Sequence, residues 1–291
     1  MCSSDLERGL RVTGSELVGL VPLQSMLEAG KYFLQKQQRS TGVSEKELIS
    51  IAIKSMGLNE LTSFNPNERI IEYLLEVKDS KKLINKSLEE FADATASESP
   101  APGGGSVSAY LGALGVSLAA MVANLSSHKK GWDERWKEFG DQAERAQQLK
   151  AELLKLVDAD TESFNAIMDA FALPKKTEEE KAQRQAAIQT ATKLAIEVPL
   201  NVMKISLESM QLIKLMVETG NPNSVTDAGV GALCARSAVM GAFLNVKVNC
   251  MSYNDKSFVQ QILSEGSSIE AQAIQEESMI IALVNEKLQV H

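Results

Sequence analysis

The 291 residues carry 30 Lys and Arg against 38 Asp and Glu, a formal charge of −8 with an isoelectric point near 5.1. That balance excludes non-specific nucleic-acid binding, because phosphate contacts need concentrated cations. Aromatic residues are only 5%, and Ala, Leu, Glu, Lys and Gln dominate the second half, which favours helix over sheet. The three cysteines, Cys2, Cys234 and Cys250, show neither metal nor redox spacing, so a reducing, cytoplasmic setting is expected.

Met1 to Arg8 has neither the basic stretch nor the apolar stretch of a secretory signal. A strand-like run, Glu16 to Pro22, leads into a predicted helix from Leu23 to Gln37. A second helix is predicted over Ser44 to Met56, where Ser44 and Glu47 have capping-box spacing. After Asn65-Pro66-Asn67 comes a short strand candidate, Arg69 to Leu75. Two strands and two helices are too few to close a sheet with both faces covered. Residues 1–80 therefore read as the partial end of an α/β domain, and the lysine-rich Lys78 to Lys82 as its boundary with a second domain over 84–288.

Ser87 and Glu90 form another capping-box pattern, opening a helix over Leu88 to Ala96. The next stretch, Ser99-Pro100-Ala101-Pro102-Gly103-Gly104-Gly105-Ser106, breaks helix with its prolines and lets backbone approach closely through its glycines. Ser106 is placed to N-cap the uncharged segment Val107 to Leu125. The free amides there can hold an anionic group, although a plain connecting loop has the same composition. Ser108, Gly112, Gly115, Ala119 and Ala123 give that helix a nearly bare face. The twenty uncharged residues Ser106 to Leu125 are long enough to span a bilayer, but their Ser, Gly and Asn content and the charged helices around them predict a buried central helix and no membrane.

Four long helices follow, over Asp133 to Leu173, Glu178 to Glu218, Val225 to Tyr253 and Ser257 to Lys287. Pro174, a Thr177–Glu180 capping box, Gly220-Asn221-Pro222-Asn223 and Asn254-Asp255 separate them, and Pro199 should kink or divide the second. The expected fold is mainly α, a multi-helical up-and-down bundle with a small partial α/β segment in front.

With two histidines, His128 and His291, the chain builds neither a histidine metal site nor a Ser-His-Asp triad, and no metal is expected. The glycine run lacks the Gly-Lys-Ser/Thr ending of a nucleotide loop. Asp158 and Asp160 stand about 200° apart on a helix, so at most one faces a given pocket. On composition both are solvent-exposed; burial of one beside a cleft would raise its pKa and suit it to general acid and base work. Asn223 to Asp227 reads as a helix cap, and Asn245 and Asn249 as groups that satisfy backbone.

Together, Pro102-Gly103-Gly104-Gly105-Ser106, Leu156-Val157-Asp158-Ala159-Asp160, Leu173-Pro174-Lys175-Lys176-Thr177, Asn223-Ser224-Val225-Thr226-Asp227 and Gly241-Ala242-Phe243-Leu244-Asn245-Val246 resemble, in order, the motifs of formimidoyltetrahydrofolate cyclodeaminases. The resemblance covers about residues 84–288. Val12 to Pro22 and Phe64 to Tyr73 resemble the end of a glutamate formimidoyltransferase domain, which precedes the cyclodeaminase in bifunctional members.

The resemblance implies conversion of 5-formimidoyltetrahydrofolate to 5,10-methenyltetrahydrofolate with loss of ammonia. Asp160 matches the family's catalytic aspartate, with Asp158 the less favoured candidate. The resemblance also implies that Pro102, Gly103, Gly104, Gly105 and Ser106 cradle the reacting end, and that Asp227 and Asn245 bind the pterin edge. Lys175 would meet an anionic glutamate tail, with Lys176, Lys181, Arg184, Lys129 and Lys130 as further cations. No tightly bound cofactor is implied. The partner is a folate, with or without a polyglutamate tail, and self-association as a homodimer or larger homo-oligomer is expected. The family's transferase uses a histidine that residues 1–80 do not contain, so transferase activity is expected to be absent. A methenyltetrahydrofolate cyclohydrolase shares the helical domain, and a non-catalytic folate-binding or oligomer-forming module is the remaining alternative.

Overall fold

The computed structural model describes residues 15–75 and 82–288. Met1 to Arg8 and most of the Lys78 to Lys82 boundary lie outside them. The described residues divide into two compact units, one of residues 15–75 with 124–144, the other of 82–123 with 145–288.

In the first unit, helices α1 (Leu23–Lys36) and α2 (Glu45–Met56) pack on each other. Met26, Ile49, Ala52, Ile53, Leu58 and Ile70 are their shared core. Ser44 caps α2 by accepting the Glu47 amide, and Gly57 ends it in the left-handed conformation, φ 67°. The two predicted strands do not form. Instead Val21 and Ile70 make one isolated parallel bridge, flanked by the short helices α3 (Pro66–Arg69) and α4 (Ile71–Leu75). A pair of short runs with no third strand is marginal as a sheet, and Asn65 with Pro66 at the first helical position supplies a helix start where the β-rich composition suggested a strand. Residues 124–144 complete this unit: the Asn124 side-chain amide donates to the Gly42 carbonyl at 2.9 Å, and Glu144 pairs with Lys31.

The second unit is built on α5 (Leu88–Ala96), residues 104–123 of α6 (Gly104–Ser127), residues 145–172 of α7 (Trp136–Ala172), α8 (Glu178–Thr219), α9 (Val225–Cys250) and α10 (Lys256–Leu288). Complete capping boxes start α5 at Ser87–Glu90 and α8 at Thr177–Glu180. Helix α8 runs unbroken through Pro199, a buried residue, so the expected division does not occur. The core joins Val116 and Ala119 of α6, Leu149 and Leu153 of α7, Ile196, Met203 and Ile213 of α8, Val239 and Phe243 of α9, and Ile280 of α10.

The bare face of α6 sets two crossings. A Cβ at Gly115 would lie 2.8 Å from the Gly231 carbonyl of α9, so these backbones touch. Gly104 lies beside Asn245, Ser108 beside Gly241 and Gly115 beside Gly231, so α6 and α9 run antiparallel. Gly105 meets Asp160 and Gly112 meets Leu153, so α6 and α7 are antiparallel as well. Among the described residues two helices, Gly104–Ser127 and Pro222–Cys250, are long and apolar enough to cross a membrane. The second is not singled out in the sequence reading. Their most apolar windows are 61% and 50% buried inside the bundle, as in core helices.

Candidate active site

The site is the junction where α6 begins against α7 and α9. Ser106 does not N-cap the helix, as expected from sequence. The first helical bond runs from the Val107 amide to the Gly103 carbonyl at 3.1 Å, and α6 starts at Gly104. Ser106 therefore sits inside the first turn, fully buried. The early start follows from the glycines, whose missing side chains let the first turn slide beneath the Asp160 carboxylate.

Asp160 receives the Ser106 hydroxyl at 2.9 Å and also the Ser106 backbone amide. It thus caps α6 from another helix, supplying an oxygen to an amide that has no intrahelical partner. Thr161 adds its hydroxyl 3.3 Å from that of Ser106, and the Ser163 hydroxyl donates to the Asp160 carbonyl at 2.8 Å. Burial pushes the Asp160 carboxyl above its ordinary value, and the two Ser106 hydrogen bonds oppose that shift without cancelling it. A carboxyl so placed holds a proton more readily than a surface one and can still deliver it.

Asp158 points elsewhere, as the spacing required. It is not solvent-exposed: at 9% exposure, its Oδ1 accepts the Leu83 amide at 2.6 Å. Neither aspartate is the open surface group that composition suggested. Asn245 closes the other side of the helix start. Its Nδ2 donates to the Gly241 carbonyl at 3.0 Å, and it faces Gly104. Asn249 satisfies the Ala195 carbonyl at 2.7 Å, the structural role expected of it. Pro102 is buried and Gly103 half-buried at the lip.

The structure does not gather the whole predicted set. Asp227 sits in the first turn of α9, eighteen residues from Asn245, roughly 27 Å along the helix at 1.5 Å per residue. One pterin edge cannot reach both within a single chain. Lys175 is exposed in the turn after α7, beyond the helix end at Ala172, roughly 18 Å of helix from Asp160. Its cationic neighbours are engaged locally: Lys181 pairs with Glu178 at 2.7 Å, and Arg184 donates to the Phe171 carbonyl. In the first unit Lys129 lies 4.0 Å over the Trp132 ring. Among the described residues no group of three or more His, Cys, Asp or Glu is placed to hold a metal ion. Thr161 and the Ser106 contact to Asp160 were not singled out from sequence. The adjacency of Thr161 to Asp160 was the only signal for the first.

This geometry can be set beside known proteins. A sequence model described as formiminotransferase-cyclodeaminase matches residues 87–268, and one described as formiminotransferase domain matches residues 1–76. The chain belongs to the formiminotransferase-cyclodeaminase family. The formimidoyltransferase-cyclodeaminase of Gallus gallus is 34% identical over 279 residues, 96% of this chain and 51% of that protein, so this chain spans about half the length of such relatives. The methenyltetrahydrofolate cyclohydrolase of Methylorubrum extorquens is 39% identical over 189 residues, 65% of this chain and 91% of that one. The crystal structure of formiminotetrahydrofolate cyclodeaminase from Thermotoga maritima superposes with a TM-score of 0.60 at 29% identity, covering 70% of this chain and 96% of that one. As in that family member, the architecture here is a mainly α bundle.

Proposed function

We propose that the chain closes 5-formimidoyltetrahydrofolate to 5,10-methenyltetrahydrofolate and releases ammonia, with Asp160 carrying the proton. The observation that carries this reading is the Asp160 carboxyl itself, desolvated at a helix start and hydrogen-bonded by Ser106. The folate N10 attacks the formimidoyl carbon, forming the new C–N bond and moving the C=N pair onto the departing nitrogen. Asp160 takes the N10 proton and returns it to that nitrogen, which draws a second proton from solvent and leaves as ammonia as the N5 lone pair forms the cationic methenyl bridge. The amides of Gly103 to Ser106 and the amide of Asn245 surround the reacting end, with Pro102 as its apolar wall. Lys175 suits the distant glutamate tail, and Asp227 is left out of this chain's site. The reaction as written uses the folate as substrate and no tightly bound cofactor.

We extend the proposal to self-association in the cytoplasm. Leu114 and Met121 of α6 and Val230, Leu233, Leu244 and Val248 of α9 are 37–66% exposed, an apolar surface of the kind that pairs copies. Cys234 and Cys250 are free thiols, which suits a reducing compartment.

The test is near-ultraviolet absorbance of methenyltetrahydrofolate from purified protein given 5-formimidoyltetrahydrofolate, with ammonia assayed in parallel. Equal amounts of both are expected, and loss of both in Asp160→Asn. Folded protein that binds folate and makes neither product overturns the reading. The resemblance to the Methylorubrum cyclohydrolase supports a second reading, hydrolysis of the methenyl bridge by water at the same carboxyl. Faster consumption of methenyltetrahydrofolate than of the formimidoyl compound would select it.

A further inference from the structure

Helix α5 lies lightly on the second unit. None of its nine residues is buried, and Leu88 is 73% exposed. Two attachments hold it close to the site. Just upstream, the Leu83 amide donates to Asp158 Oδ1 at 2.6 Å, and within the helix the Phe91 ring rests 5.5 Å from that of Tyr110 on α6, tilted by 52°. Between them is a small cavity of about 50 Å³, lined by Leu83, Ser87, Phe91, Tyr110, Leu154 and Val157.

This cavity is one helical turn from the proton carrier. Tyr110 follows Ser106 by four residues on α6, and Val157 precedes Asp160 by three on α7, so both stand on the faces that bring Ser106 and Asp160 together. Sites for small ligands enclose roughly 300–1,000 Å³, so the space as it stands is too small for a bicyclic ring, and α5 forms one side of it. Aromatic rings in offset or tilted contact stabilise each other beyond the area they bury, and a flat heterocycle between them keeps that contact on both faces.

We infer that Phe91 and Tyr110 clamp the flat bicyclic ring of the substrate, with α5 a cover that lifts to admit it and the Asp158 carboxylate the tether that returns it. The inference rests on the folate reading above. Tyr110 is the fixed wall, Phe91 the moving one. Asp158 is a positioning residue: its carboxylate is occupied by the Leu83 amide, and it acts on substrate only by setting where α5 closes.

The experiment measures binding of 5-formyltetrahydrofolate, a probe that is not turned over, by titration calorimetry, together with KM and kcat for the formimidoyl substrate. Tyr110→Leu and Phe91→Leu should each weaken probe binding and raise KM by about tenfold, with a much smaller change in kcat. Tyr110→Phe should restore affinity, because the clamp needs the ring and not the hydroxyl. Asp158→Ala should raise KM and leave α5 amides exchanging rapidly even with probe bound, whereas wild-type α5 is protected. Leu variants that fold and bind the probe as wild type overturn the inference, as does unchanged exchange on α5 when probe binds. If wild type binds the probe and the Leu variants do not, while no ammonia is ever released, the clamp stands and the cyclodeaminase reading falls.

Discussion

Gly105 and Asp160 touch across the crossing of α6 and α7, and a Cβ on residue 105 would coincide with the Asp160 carboxylate. Nothing about helix propensity demands glycine in the first turn of α6; the carboxylate does. Gly105→Ala should leave the helices intact, because alanine is the better helix former, while displacing the carboxyl by an ångström or more. Misplacement on that scale costs about a hundredfold in rate. Circular dichroism matching wild type beside a kcat lowered about a hundredfold is the expected pair of results, and a wild-type rate would show that the contact is not catalytic.

Ser106 opposes the upward shift that burial imposes on Asp160, through its hydroxyl and its amide. Removing the hydroxyl takes away one of the two stabilisers of the carboxylate form, so Ser106→Ala should push the carboxyl further up. Whichever limb of the kcat/KM profile reports ionised Asp160 then moves to higher pH. The measurement is that profile for both proteins. Superimposable limbs would remove Ser106 from the control of this proton.

Local chemistry made much of the bundle readable. Ser87–Glu90 and Thr177–Glu180 announced two helix starts as full capping boxes, and Gly220-Asn221-Pro222 announced a break. Where the sequence misled, tertiary contact outweighed local preference. Ser106 has N-cap chemistry, but its hydroxyl is taken by Asp160, 54 residues away. Val21 and Ile70 belong to β-rich runs but, among the described residues, form a single isolated bridge. Pro199 carries a helix-breaking ring that the packing around α8 accommodates. The remoteness of Asp227 from Asn245 could not be read from motif order, because both lie on α9 and a helix converts eighteen residues into length. Their order in the chain says which helix they share, not that they meet.

Arg236 of α9 and Glu277 of α10 form an ion pair at 2.8 Å in which the Glu277 side chain is 10% exposed and that of Arg236 36%. The buried Arg236 Nε has no hydrogen-bond partner among the described residues, so the pair is imperfectly satisfied. Arg236→Met should still destabilise, because it strands a buried carboxylate, by on the order of 2 kcal/mol given the partly exposed arginine. Arg236→Met with Glu277→Met should recover most of that loss, since two apolar side chains need no desolvation. Urea midpoints of the three proteins check this, and a double variant no better than the single one would mean that the pair is a net stabiliser.

The carboxyl of Asp160 also ties stability to pH. Its folded-state value lies above its ordinary one because burial disfavours the charged form, so the folded protein binds a proton more tightly than the unfolded chain. Between the ordinary carboxyl value, about 3.9, and the raised one, the native state holds more protons than the denatured state, and stability falls as pH rises through that window. Above the window the loss is complete and constant; below it there is none. Asp160→Asn removes the ionisation while keeping an oxygen to accept from Ser106. The variant should therefore match the parent in acid and be measurably more stable near neutral pH, while losing turnover. Thermal midpoints of both proteins from about pH 3.5 to about pH 7.5 read the difference. A gain that grows with pH and then levels assigns the cost to this carboxyl, consistent with stability given up at a working site. A gain that is the same at every pH would trace it to packing instead.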